Sequence, residues 1–316
     1  MGHMKYSVVI PVYRNEESIP RLLDALTDIS RSLDEPAEVV FVVDGSPDGS
    51  FTLLNQAIDS LDFPAQLLAH SRNFGSYPAI RSGLQVARGQ FLGVMAADLQ
   101  EPPELMTAFL TALAADECDV AVGTRTGRND PFFTRLSSGI FWRLYRRFVI
   151  RDMPTGGVDV FGCNRAFRDQ LLQLEESRSS LIALIFWMGF RRKLVGYERQ
   201  ERQEGRSSWT LAKRIDYMMD SVFAFTDLPI RLVTRIGLIG SLGAAALGVC
   251  VAAARLSGMI EVPGYAATML VVLFLGALNL LALGLVGTYA WRTYENTKRR
   301  PTAIVAFARS NRKDHR

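Results

Sequence analysis

Asp98 closes an apolar run, and its type and place could do chemistry. Phe91 to Ala97 is uncharged and too short for a helix, which predicts a central strand covered on both faces of a parallel sheet. Open α/β sheets take ligands beyond the carboxyl ends of their strands, so a carboxylate there points to ligand chemistry. Gln100 lies two residues on and faces the same side if the backbone stays extended. The pair offers oxygen ligands to a hard divalent cation, Mg2+ or Mn2+. Pro102 and Pro103 end the strand and start a helix at Glu104. The structural alternative is a buried strand whose aspartate caps that helix.

A sheet edge for Asp98 requires a sheet, and the preceding residues supply it. Tyr6 to Tyr13 and Val39 to Val43 are β-branched strands, and Ser18 to Ser30 between them carries Ile19, Leu22, Leu23, Leu26 and Ile29 at helical spacing. Strand Gln66 to Ala69, a helix from Pro78, a helix from Glu104 and strand Asp119 to Gly123 continue the alternation. Such alternation predicts an α/β fold with a mostly parallel, Rossmann-like sheet. No GxGxxG or GxxxxGK[ST] loop follows the first strand, which disfavours dinucleotide dehydrogenases and P-loop NTPases.

The 316 residues suffice for one α/β domain with an appendage, or for two domains. A hydrophobic content of 48% and a mean hydropathy of +0.10 are high for a purely soluble chain, and the excess lies after residue 236. The net charge of +4 is too weak to imply nucleic acid. Cys118, Cys163 and Cys250 show no CxxC spacing and suit a reducing compartment. Met1 to Met4 reads as a cloning scar. Setting it aside leaves His70 and His315, little support for a histidine zinc site or a Ser-His-Asp triad.

Residues 125–151 are basic and aromatic, as an amphipathic helix with wet arginines would be. Residues 210–235 suit amphipathic helices in a membrane interface, broken at Pro229, with an ordinary packed helix as the alternative. Ile236 to Ala254 and Ala266 to Trp291 are uncharged and each long enough to span a bilayer; a buried hairpin is the alternative. Arg231 and Arg235 precede them, and Arg292, Lys298, Arg299 and Arg300 follow. The positive-inside rule then predicts a multi-pass protein of the inner (plasma) membrane, with catalytic domain and both termini cytoplasmic. The expected divisions are 5–209, a catalytic domain; 210–235, interface helices; 236–291, a two-helix anchor; and 292–316, a basic tail, mobile or lipid-facing.

Four strand ends also resemble, in order, the motifs of one family. ADLQEPPEL resembles the metal motif of family-2 glycosyltransferases that make polyprenyl-phosphate sugars, the dolichyl-phosphate mannose synthase and GtrB group, with Ala96 replacing the first aspartate of DADLQ. SVVIPVYRNEES resembles their first strand and nucleotide loop, which implies donor contacts from Pro11, Tyr13 and Glu17, although Tyr-Asn-Glu has become Tyr13-Arg14-Asn15. VVDGSPDGS resembles DDGSxDxS, with Val43 for the first aspartate; the resemblance puts Asp44 at the base and ribose. SRNFG resembles the RNxG turn and implies Arg72, Asn73 and Gly75 beside the nucleotide. Each motif alone is an ordinary turn signal; four in register are not.

The same resemblance gives Arg135 and Ser138 to a lipid phosphate, Asp159 to the sugar or acceptor phosphate or to a plain cap, and Arg202 to an acceptor loop, RxxGxSKY, with Ser208 where lysine is usual. It implies a GT-A fold with two C-terminal transmembrane helices, and inverting transfer from a nucleotide-sugar donor, glucose on UDP as a first guess, to undecaprenyl or similar phosphate at the bilayer. A phosphate monoester is largely dianionic at neutral pH, so no general base is required. Homo-oligomers occur among such relatives. With Val43 and Ala96 each removing a carboxylate, Asp98 and Gln100 would rely on substrate phosphates and water to complete a metal shell. A nucleotide-binding pseudoenzyme is the alternative; processive synthases are disfavoured by the missing QxxRW.

Overall fold

The computed structural model describes residues 4–125, 158–174, 180–200, 225–257 and 264–311, and isolated positions between them. The chain divides into two units, Met1–Tyr217 with Arg300–Arg316, and Met218–Arg299.

In the first unit, strands β1 (Tyr6–Val12), β2 (Ala37–Val43), β3 (Ala65–His70), β4 (Phe91–Val94), β5 (Val120–Arg125), β6 (Val158–Asn164), β7 (Arg192–Tyr197) and β8 (Val305–Ser310) form one sheet in the order β7-β5-β6-β4-β1-β2-β3-β8. Strands β1 to β4 pair in parallel and β7 is parallel to β5, whereas β6 and β8 run antiparallel to their neighbours. Every residue of β2 is buried, as expected of a parallel strand covered on both faces. The covers are α1 (Ile19–Ser32), α2 (Ser50–Ala57), α3 (Ser76–Val86), α4 (Pro103–Ala114), α5 (Arg165–Gln173) and α6 (Leu181–Trp187). In α1 the stripe Ile19, Leu22, Leu26 and Ile29 is buried, the helical spacing seen in the sequence. Helix α3 lies so close to β1 that a Cβ on Gly83 would stand 2.3 Å from Val9 Cγ1.

Strand order reverses at β1: β2 and β3 lie to one side of it, β4 to the other. The crevice beyond β1 and β4 is therefore the sheet's topological switch point, where ligands bind in open α/β sheets.

Helices α3 and α5 cap each other with buried arginines. Arg81 of α3 donates to the carbonyls of Leu171, Leu172 and Leu174 at the end of α5, and Arg168 of α5 donates to those of Leu84 and Ala87 at the end of α3. Each guanidinium satisfies carbonyls that a helix end leaves without an intrahelical partner.

Two expectations are corrected. Strand β4 stops at Val94, short of Ala97, because Leu99 has a left-handed backbone (φ +52°) and the chain turns at Asp98. Asp98 and Gln100 therefore come together across a turn, not along an extended strand. The tail is corrected too: Val305–Ser310 is strand β8, closing the sheet against β3. Phe307 meets Phe51 edge to face at 5.1 Å, Arg309 donates to the Asn55 carbonyl and pairs with Asp59, and the Asn311 amide donates to the carbonyls of Ile58 and Phe63. A strand with these partners is anchored, not mobile.

The second unit contains α7 (Leu228–Leu256) and α8 (Tyr265–Thr297). Both expose large apolar side chains, among them Leu238, Ile239 and Leu247 of α7 and Phe274, Leu280 and Leu283 of α8. Among the described residues, one segment, Phe274–Thr297, is long and apolar enough by composition to cross a membrane. At its end Tyr289 meets Phe223 edge to face at 5.3 Å, with the Arg292 guanidinium over Phe223.

Candidate active site

Four loops leave the carboxyl ends of β1 to β4 on one edge of the sheet; side chains tie the first three to one another and the fourth to the segment after β7. After β1, Pro11 and Tyr13 are half-buried and Arg14 takes a left-handed backbone (φ +56°). The Arg14 N–H donates to Ser46 Oγ at 2.7 Å, and the Tyr13 N–H to Asn15 Oδ1 at 3.0 Å. Non-glycine residues in this region cost about 1–3 kcal/mol and gather at functional sites. Arg14 and Leu99 flank the switch point from its two sides.

Asp48, in the loop after β2, accepts from Ser46 Oγ at 2.6 Å, the Ser50 N–H at 3.2 Å and the Glu16 N–H at 3.1 Å. Burial opposes its charge, yet these donors win and hold its carboxyl below the ordinary value. Glu16 returns a bond, accepting from the Gly49 N–H at 2.8 Å. The sequence marked Glu17 for the donor; it is exposed, while Glu16 ties the first two loops together. The signal available was the run Ser46-Pro47-Asp48-Gly49-Ser50, legible as a turn but not as a clasp.

Asp44 is 3% exposed, under the third loop. Its Oδ1 accepts from the Phe74 N–H at 2.9 Å and lies 2.8 Å from His70 Nδ1, and its Oδ2 accepts from the Gly75 N–H at 2.7 Å. Gly45 (φ +57°) lets the loops touch: a Cβ there would stand 2.3 Å from the Arg72 carbonyl carbon. Gly75 has φ +103° and starts α3. Arg72 and Asn73 are exposed at the rim, with the Arg72 guanidinium 4.1 Å from the Phe74 ring centre.

Beyond β4, Asp98 is half-buried and its Oδ1 lies 3.4 Å from the Gln100 N–H. Arg199, just past β7, donates to Gln100 Oε1, and the Gln200 N–H donates to the Gln100 carbonyl at 2.9 Å. Sequence reasoning missed Arg199, although it stands three residues before Arg202 in the same charged segment. The donor set suits a hard cation: Asp98 brings a carboxylate, and the Gln100 oxygen retains a lone pair beyond its bond to Arg199. Among the described residues no three His, Cys, Asp or Glu side chains gather into a metal cluster. Arg135, Ser138 and Arg202 lie outside the described residues; Asp159 is in β6, its side chain likewise outside them.

A mostly parallel sheet with carboxylate-bearing loops at its switch point defines the GT-A class of Rossmann-like α/β folds. The description "Glycosyl transferase family 2" matches residues 7–174, and the chain belongs to that family: it is a glycosyltransferase. It is similar to an undecaprenyl-phosphate 4-deoxy-4-formamido-L-arabinose transferase of Proteus mirabilis, 32% identical over 305 residues, with 95% of this chain and 93% of that protein covered. It is also similar to the uncharacterized glycosyltransferase YkcC of Bacillus subtilis, 30% identical over 304 residues, with 96% and 94% covered. Among solved structures, the mannosyltransferase PcManGT from Pyrobaculum calidifontis in complex with GDP-Man and Mn2+ matches 88% of this chain and 87% of its own, at 16% identity and a TM-score of 0.43.

Proposed function

We propose that this enzyme transfers a sugar, with inversion, from a nucleotide-sugar to undecaprenyl or another polyprenyl phosphate at the cytoplasmic face of the inner membrane. The observation that carries the donor side is the convergence of the loops after β1, β2, β3 and β4 at one switch point, with Asp98 at its edge. The acceptor class rests on the Proteus mirabilis transferase, which aligns along nearly its whole length. UDP is the first nucleotide to test and glucose the first sugar.

In this reading Pro11, Tyr13, Glu17, Arg72, Asn73 and Gly75 border the nucleotide, over Asp44. Arg135, Ser138 and Arg202 bind the lipid phosphate, and Asp159 orients the sugar. A phosphate oxygen of the acceptor attacks the anomeric carbon; the bond from that carbon to the diphosphate oxygen breaks, and the nucleoside diphosphate leaves with the electron pair. The dianionic acceptor has no proton to lose, so the protein's work is alignment and charge neutralisation. Mg2+ or Mn2+ at Asp98 and Gln100 would supply Lewis-acid stabilisation of the leaving diphosphate. Arg199 adds a fixed positive charge beside Gln100.

The two-span anchor is part of this proposal, and parity supports it. Strands β7 and β8 belong to one sheet, so the chain before α7 and after α8 lies on one side of any bilayer. The chain between them then crosses an even number of times; if α8 is one crossing a second is needed, and α7, 29 residues long, is the described helix of sufficient length for it. The test of the function is nucleoside diphosphate release from a panel of UDP- and GDP-sugars, with and without polyprenyl phosphate, in detergent. Release that requires the lipid, with an inverted lipid-linked product, is expected; release indifferent to the lipid, or none with any donor, contradicts it.

A further inference from the structure

His70 stands alone in the sequence, but the structure puts it at the centre of a buried polar chain. His70 Nδ1 faces Asp44 Oδ1 at 2.8 Å and His70 Nε2 faces Ser82 Oγ at 2.9 Å; the three residues are 3–6% exposed. A carboxylate oxygen accepts, so the His70 Nδ1–H donates to Asp44 Oδ1, while Nε2 and the Ser82 hydroxyl share the second bond. The residue types match a hydrolytic triad, but Ser82 is buried inside α3 with no room for a substrate carbonyl, so nucleophilic chemistry is not available to it. What the chain does reach is the third loop. Asp44, held from behind by His70, receives the Phe74 and Gly75 N–H groups, and the His70 ring meets Phe74 edge to face at 5.6 Å. Phe74 in turn carries the Arg72 guanidinium on its face.

We infer that His70 is a positioning residue for the nucleotide diphosphate of the donor: through Asp44 and Phe74 it fixes the backbone of residues 72–75, and so the rim on which Arg72 and Asn73 stand. This rests on the donor-site reading above. It also reassigns Asp44, whose two oxygens already serve the loop, from contacting the nucleotide to shaping its seat. Ser82 completes the arrangement by fixing the ring's orientation. No bond forms or breaks in this role.

The test measures UDP and GDP binding by calorimetry, and donor KM and kcat, on the full-length enzyme and on His70→Phe, His70→Asn and Ser82→Ala, with a thermal melt of each. His70→Phe removes the donor to Asp44 and is expected to raise the nucleotide Kd and donor KM about tenfold or more, leaving the lipid KM unchanged. His70→Asn can still donate to Asp44 and is expected to recover most of that loss. Ser82→Ala leaves the Asp44 bond in place and is expected to give a smaller rise in donor KM; it keeps the proposal testable should His70→Phe not fold. A lowered Tm with nucleotide Kd and donor KM unchanged in all three variants would overturn the positioning role while leaving the donor site intact. Absence of nucleotide binding by the wild-type protein would overturn the donor site itself, and this inference with it.

Discussion

Strand β2 carries a buried carboxylate at each end, and the two do opposite jobs. Glu38, 1% exposed at its start, accepts from Ser7 Oγ at 2.9 Å, Gln66 Nε2 at 2.8 Å and the Arg88 N–H at 2.9 Å. Asp44, 3% exposed at its end, accepts from two loop N–H groups and faces an imidazole. Burial and bond number are alike. The difference is in what is held: Glu38 ties Ser7 of β1, Gln66 of β3 and the Arg88 turn to the amino edge, away from the switch point, whereas Asp44 lies beneath the loop after β3 at the carboxyl edge. The expectation is that Glu38 adds stability and that Asp44 sets the geometry of the loop.

The largest effect that would break this comparison is expected at Asp44. Asp44→Asn puts an amide group against one of the N–H donors it now satisfies, at a cost of about 1–3 kcal/mol. Donor kcat/KM should fall on the order of tenfold to a hundredfold, read in a steady-state release assay, while the protein still melts cooperatively. Glu38→Gln should show the reverse. A similar loss of roughly 1–3 kcal/mol is expected in stability by denaturant melt, with donor KM within about twofold of wild type. If both variants changed KM equally, the division between the two edges would be wrong.

A smaller effect sharpens the comparison on the carboxyl edge. The Asp48 carboxyl is held below its ordinary value, so its ionised form stabilises the fold fully above that value and the contribution is lost as pH falls through the lowered one. Wild type should lose stability below about pH 4, and Asp48→Asn should lose less over that window, as thermal melts across pH would record. The smallest expectation concerns thiols. Burial pushes Cys163 up to about 12, and it stands in β6 inside the sheet, so Cys163 should stay unlabelled in native protein and label once the protein is denatured. Mass spectrometry after mild alkylation reads this directly.

Much of the sheet's carboxyl edge was legible because its signals are local. The apolar run Val39 to Val43 of β2 and the apolar stripe of α1 announce themselves, and an aspartate ending an apolar run falls where parallel sheets bind ligands. What was not legible is long-range. Strand β8 pairs with β3 from more than two hundred residues away, and its sequence, VAFARS, has the basic, mixed look of a tail. Arg81 and Arg168 drew no reading at all, because nothing near them in sequence shows that each guanidinium caps a helix elsewhere. Leu99 gives no warning of its left-handed turn, which is why Asp98 and Gln100 looked extended. His70 looked like a lone histidine until the fold supplied Asp44 and Ser82.

The most direct test of the central claim, that the carboxyl edge around β1 and β4 is the donor site, is nucleoside diphosphate release in the presence of polyprenyl phosphate and Mg2+ or Mn2+, comparing wild type with Asp98→Asn. Wild type should show lipid-dependent release, and the variant a loss of at least about a hundredfold with its melting temperature preserved. An Asp98→Asn enzyme that releases the diphosphate at the wild-type rate would contradict it.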